Sequence, residues 1–154
     1  MNKEKIIKYG IPILSVILVA LLGSIFTNKG LEWYDTLNKP SEWIFDFVIP
    51  IMWGIIYSLF TIYLLYLVNK DKLRKNQFVL LVMNGFLNVL WCLVYFTLQN
   101  LLLGQIIIVI NLIFSILLIK EIYKTNKTWG YVLGIYPTWL SIATCLNLAI
   151  WILN

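Results

Sequence analysis

Residues 76–119 read NQFVLLVMNGFLNVLWCLVYFTLQNLLLGQIIIVINLIFSILLI, 44 residues without an acid or a base. As one helix they would extend about 66 Å, roughly twice the ~30 Å hydrocarbon core of a bilayer. The stretch must fold back on itself. The polar run Thr97-Leu98-Gln99-Asn100, with Gly104 after it, is the place for the turn. Three further uncharged stretches, residues 9–28, 47–69 and 128–154, are each 20 to 27 residues long. The pattern predicts an all-α integral membrane protein: one domain over residues 1–154, a bundle of five transmembrane helices at about 7–27, 47–69, 77–97, 103–123 and 129–152.

Composition agrees. The chain is 61% hydrophobic and 12% charged, against about 45–50% and 25% for a soluble domain, and its mean hydropathy is +0.86. Lys3, Lys5 and Lys8 precede the first span. That span is longer than a signal-peptide core and ends without a small-x-small cleavage site, so it is expected to stay as a helix.

The net charge of +5 is distributed as topology rather than as a nucleic-acid footprint. With the N-terminus inside, ten of the twelve bases fall in inside segments, leaving Lys29 and Lys39 outside with the acids Glu32, Asp35, Glu42 and Asp46. The positive-inside rule then predicts a multi-pass protein of the cell membrane, N-terminus cytoplasmic and C-terminus outside. Residues 28–46, NKGLEWYDTLNKPSEWIFD, are the only long connection. Loops of that length are often functional covers, and Trp33, Tyr34, Trp43 and Phe45 equip this one to lie on the membrane face or cap a cavity.

The chain has no His, which excludes a Ser-His-Asp triad, a Cys-His pair and any His-based metal site. The uncharged core of each span holds no acid or base, so proton-coupled pumping, voltage sensing and conventional acid–base hydrolysis lack their usual groups. No metal site is expected. Cys92 and Cys145 read as small core residues.

Uncharged polar groups and indoles remain. Helical spacing puts Trp53, Tyr57 and Thr61 on one face, Asn84, Asn88 and Trp91 on a second, Asn111 and Ser115 on a third, and Trp139, Ala143 and Asn147 on a fourth. Amides facing hydrocarbon leave donors unpaired, so these stripes are expected to face inward. Asn111 and Ser115 read chiefly as interhelical hydrogen-bonding groups. Trp33, Trp43, Trp129 and Trp151 fit the interfacial belt. Trp53 and Trp139 point to a cavity for a flat apolar ligand beside the small Ala143. Gly130 and Gly134 form a GxxxG, a close-approach signal within or between protomers.

Taken together these features resemble the TspO/MBR family, the tryptophan-rich sensory proteins that include the mitochondrial translocator protein. WYDTLNKPS (33–41) is similar to the family loop signature WYxxLxKPxW. Asn84, Asn88, Trp91 and the pair Tyr95-Phe96 resemble its third-helix pattern, and WLSIATCLN (139–147) its fifth-helix WxxxATYLN. The chain departs where SEWIFD (41–46) replaces the W-x-P-P element and where Cys145 replaces a Tyr, which leaves the sterol motif of the animal proteins absent.

The resemblance implies a homodimeric five-helix bundle with a cavity beneath the first loop, lined by Tyr34, Pro40, Trp53, Asn88, Trp91, Trp139 and Ala143. It implies porphyrin-like ligands such as protoporphyrin IX, or drug-like molecules of isoquinoline and benzodiazepine type, with no cofactor required. The role it implies is that of a membrane receptor or sensor. Light- and oxygen-dependent porphyrin degradation, with Trp53 and Trp139 as photochemical residues, facilitated transport of small apolar ligands, and a purely structural role stand as alternatives. Without His to ligate iron, a metal-free macrocycle suits the chain better than haem. Lys29 and Lys39 are the bases near the loop for its propionates.

Overall fold

A computed structural model describes residues 3–40, 47–70 and 72–154, with side chains from Lys8 onward. Its helices are α1 (Lys3–Asn28), α2 (Leu31–Thr36), α3 (Val48–Lys70), α4 (Lys75–Cys92), a π-helical turn (Leu93–Thr97), α5 (Leu101–Thr125), α6 (Lys127–Leu133) and α7 (Ile135–Leu153). No strand occurs among the described residues. Five helical spans in that set are long and apolar enough to cross a membrane: Lys8–Asn28, Val48–Lys70, Lys75–Thr97, Leu101–Thr125 and Lys127–Leu153. They match the spans expected from the uncharged stretches within a few residues.

The spans form a closed ring. α1 packs on α3 and α4, α4 on α5, α5 on α7, and α7 back on α3. Large aliphatic side chains such as Ile11, Leu14 and Ile152 point outward, each more than 60% exposed. Such a coat is a liability in water and the ordinary surface in lipid. Hydrocarbon gives helices no hydrophobic reason to associate, so packing and polar contacts must hold them. Tyr63, Leu118, Ile122 and Leu133 fill the core near the basic end, where Gln77 Nε2 donates from α4 to Thr125 Oγ1 of α5 at 2.9 Å. Tyr136 Oη donates to Asn111 Oδ1 at 3.4 Å, joining α7 to α5, so Asn111 makes the expected interhelical bond. Ser115 instead donates to Leu112 O within its own helix.

The turn in the 44-residue stretch falls at 97–100. Gln99 takes a positive φ of 53°, and the Asn100 side chain caps α5 by accepting from Leu103 N at 2.9 Å. Gly104 is not part of that turn. It lies inside α5, where a Cβ would stand 2.7 Å from the Tyr95 ring.

The last span is two helices rather than one. Asn126 caps α6 by accepting from Trp129 N, and α7 begins after Gly134. Pro137 has no N–H for the carbonyl of Leu133, and as a residue of the first turn of α7 it needs none. The break therefore falls between the two. The same region settles the GxxxG: a Cβ on Gly130 would stand 2.8 Å from Tyr123 of α5, so this glycine serves close approach within the chain.

Candidate functional site

The cover of the site starts at Gly30. A Cβ there would lie 2.1 Å from the carbonyl oxygen of Phe96, so the chain after α1 rests directly on the π turn. That contact seats α2, the short helix within the long loop. Tyr34 of α2 is buried with its ring 5.4 Å from Phe96 and 6.3 Å from Tyr95.

The π turn also shapes the wall. Leu98 N reaches back to Leu93 O at 2.9 Å and Asn100 N to Val94 O at 3.1 Å. The widened turn brings positions 91, 95 and 96 into one cluster. Trp91 stacks on Tyr95 at 5.4 Å and meets Phe96 edge-on at 5.5 Å.

Beneath this cover lies a cavity of about 560 Å³, within the range of drug-sized ligand sites. Six of the seven residues expected from the sequence line it: Tyr34 from α2, Trp53 from α3, Asn88 and Trp91 from α4, and Trp139 and Ala143 from α7. Trp53 stacks on Tyr57 with centroids 5.6 Å apart, and Tyr57 Oη donates to Asn88 Oδ1 at 3.3 Å. Asn88 thus has a partner across the helix gap. Asn84 bonds back to Leu80 O of its own helix at 2.7 Å and faces a different hollow.

Pro40 does not line the cavity. α2 ends at Thr36, Leu37 is extended, and the chain then runs to the end of α7. There Asn38 N donates to Asn154 Oδ1 at 2.9 Å, and Asn154 Nδ2 donates to Asn38 O at 3.0 Å. This reciprocal grip carries Pro40 away from the site. Lys39 Nζ stands 4.0 Å above the Tyr34 ring and 3.2 Å from Asp35, and Lys29 lies 6.0 Å from the Phe26 ring. Both lysines are at the loop end, as expected. Asp35, which does line the cavity, escaped the sequence reading.

Of the indoles expected in the interfacial belt, Trp151 is 40% exposed. Trp33 and Trp129 are half-buried in aromatic clusters instead. Trp33 packs edge-on against Tyr95 at 6.1 Å, and Trp129 packs on Tyr63 and Tyr66 at 5.3 and 5.8 Å. Trp43 and Phe45 lie outside the described residues. The cavity wall given by α1 was also missed. Ala20, Gly23, Ser24 and Thr27 face it, and their i, i+3, i+4, i+7 spacing is a stripe of small residues that the sequence does carry. Among the described residues no group of three or more His, Cys, Asp or Glu side chains is placed to hold a metal ion.

Four polar atoms on cavity residues have no protein partner: Trp91 Nε1, Tyr95 Oη, Trp139 Nε1 and Asn147 Nδ2. All four groups can donate. All four atoms are buried.

Fold and site together define a five-span helical membrane protein with an aromatic-walled cavity under its first loop. Comparison with known sequences gives that class a family. The TspO/MBR family model matches residues 12–152, and the chain belongs to that family. It is 33% identical to the tryptophan-rich protein TspO of Archaeoglobus fulgidus over 97% of this chain and 98% of that one. The TspO of Chlorobaculum tepidum is 31% identical, over 100% and 99%. Protein CrtK of Rhodobacter capsulatus is 26% identical, over 86% and 83%.

Proposed function

We propose that the protein is a membrane receptor or sensor that holds a flat, apolar, porphyrin-like ligand in the cavity beneath α2. The observation that carries this reading is the convergence of Tyr34, Trp53, Asn88, Trp91, Trp139 and Ala143 on one cavity. Indole and phenol faces hold a macrocycle by stacking and burial, at about 25 cal/mol per Å² of apolar area. Ala143 leaves room where a larger side chain would fill the wall. A ligand carboxylate at the loop end meets Lys39 beside Asp35, so it binds in competition with that acid. Titration of the purified protein with protoporphyrin IX, followed by Trp fluorescence, tests the reading. Saturable quenching at one ligand per protomer is expected, and its absence counts against the site.

A second reading rests on Trp53 and Trp139 both bordering the cavity. A porphyrin excited by light there sensitises oxygen beside two oxidisable indoles. Loss of porphyrin absorbance should then require both light and oxygen and no added metal or nucleotide. Trp53→Phe and Trp139→Phe keep an aromatic face and should slow turnover more than they weaken binding. Equal loss in the dark would eliminate photochemistry.

The reading further places the 70–75 turn in the cytoplasm and the 28–46 loop outside, on the ten-to-two split of bases, and takes the protein as a homodimer from its resemblance to the family. Topology is checked by labelling intact cells with an impermeant maleimide, in a Cys145→Ala background. A cysteine introduced in place of Asp35 should react and one in place of Lys72 should not. The reverse pattern inverts the topology.

A further inference from the structure

A second and larger hollow, about 1060 Å³, lies toward the basic end between α1, α3 and α4, with Tyr136 of α7 at its back. Its inner wall is apolar, formed by residues such as Phe60, Leu64 and Leu67 of α3. Its lip is made of Ile11 and Leu18 on α1 and of Phe78, Val82 and Phe86 on α4, all exposed on the outside of the bundle. The hollow therefore opens sideways, toward hydrocarbon, and not along the bundle axis. It follows α1 from Lys8 to Leu22, about 21 Å of helix, enough to lay down the chain of one leaflet, whose hydrocarbon is about 15 Å deep.

Among the described lining residues, charge stands at one end of this groove. Lys8 borders it there, as does Leu73 from the turn between α3 and α4. That turn carries exposed Lys72 and Arg74 between Lys70 and Lys75. Tyr9 Oη donates to Asn69 Oδ1 at 2.7 Å and ties the start of α1 beside it. The two segments, residues 3–8 and 70–75, hold seven bases and two acids. An apolar trough open to lipid and ending in a basic rim matches an amphiphile with an anionic head.

We propose that the groove between α1, α3 and α4 binds an anionic phospholipid, its acyl chain along α1 and its phosphate among Lys8, Lys72 and Arg74. The far end of the chain meets Trp53, Tyr57 and Asn88, which border both hollows. Lipid and cavity ligand thus share one partition, bridged by the bond from Tyr57 to Asn88.

The test reconstitutes the full chain in nanodiscs of mixed phosphatidylglycerol and phosphatidylcholine, releases it into detergent and counts retained lipids by native mass spectrometry. One phosphatidylglycerol per protomer is expected, retained about tenfold or more over phosphatidylcholine at equal supply. Val82→Trp, which fills the lip, should remove the bound lipid whatever its head, and Leu18→Trp serves the same purpose if Val82→Trp aggregates. Lys8→Gln with Arg74→Gln should bring phosphatidylglycerol down to the phosphatidylcholine level. Lys124→Gln with Lys127→Gln removes equal charge from the same end of the bundle, away from the groove, and should leave retention unchanged. Equal retention of the two lipids by the unaltered protein overturns the proposal. So does an equal loss in both lysine-containing double variants, which would mean general attraction to the basic end. A lipid-free dimer that Val82→Trp converts to monomer would assign the groove to a second copy of the chain.

Discussion

Trp53→Leu and Trp139→Leu are each expected to weaken protoporphyrin IX binding by about 1–3 kcal/mol, roughly 5- to 150-fold in Kd. The two indoles reach the cavity from the neighbouring helices α3 and α7. Leucine keeps the wall apolar but is smaller and offers no flat face, so the loss reports stacking and buried area together. Trp151→Leu is the control, because its ring lies on the outer surface near the end of α7 and borders neither hollow. Its affinity should stay within twofold of the unaltered protein, near the scatter expected of substitutions distant from a site. Trp129→Leu separates affinity from stability. Its ring packs on Tyr63 and Tyr66 at the basic end, so it should lower the unfolding temperature and leave Kd nearly unchanged. Equal weakening by all four substitutions would remove the cavity assignment.

Gly30→Ala is expected to destabilise the protein by about 3 kcal/mol, the upper part of the range for overpacking. The added carbon would stand 2.1 Å from a backbone oxygen of Phe96, which no rotamer change relieves. Either the π turn shifts or α2 lifts, and both carry Tyr34 with them. The unfolding midpoint in detergent should fall by roughly 6–12 °C. Porphyrin affinity should fall too, since the cover is displaced. Gly10→Ala offers the contrast. It sits in α1 with nothing within 4 Å of the new carbon, and there alanine should be neutral or stabilise by up to about 1 kcal/mol. Comparable midpoints for the two variants would show that the contact at Phe96 is not a constraint.

The five spans were legible because the bilayer imposes a length, and uncharged runs of that length have few other uses. Most of the cavity was legible for a related reason. Trp53, Asn88, Trp91, Trp139 and Ala143 sit on helical faces where amides and indoles repeat, and such faces turn away from hydrocarbon. What the sequence could not give was set by backbone irregularity. The π turn that gathers Trp91, Tyr95 and Phe96 has no residue signature, and neither does the course of the chain after α2 that takes Pro40 out of the site. The split of the last span was readable in principle from Gly134 and Pro137, but a continuous apolar run hides a break whose polar groups are mostly satisfied in place. The small-residue face of α1 was overlooked because small residues in a membrane helix invite a packing interpretation before a ligand one.

The grip between Asn38 and Asn154 joins positions 116 residues apart. Each hydrogen bond is worth about 1 kcal/mol net, so the pair contributes little to global stability. Its effect is on timing. The extended segment that follows the cover helix is fastened to the last turn of the final helix, the part of any helix most prone to fray. Opening the mouth of the cavity is then a local event, far cheaper than unfolding the bundle. On the proposed function, a ligand that enters from the loop end is expected to wait on that fraying, and Asn154→Ala is expected to speed its exchange. The proposed function thus assigns residence time to the far end of α7, in a residue outside the cavity wall, and affinity to the indoles below.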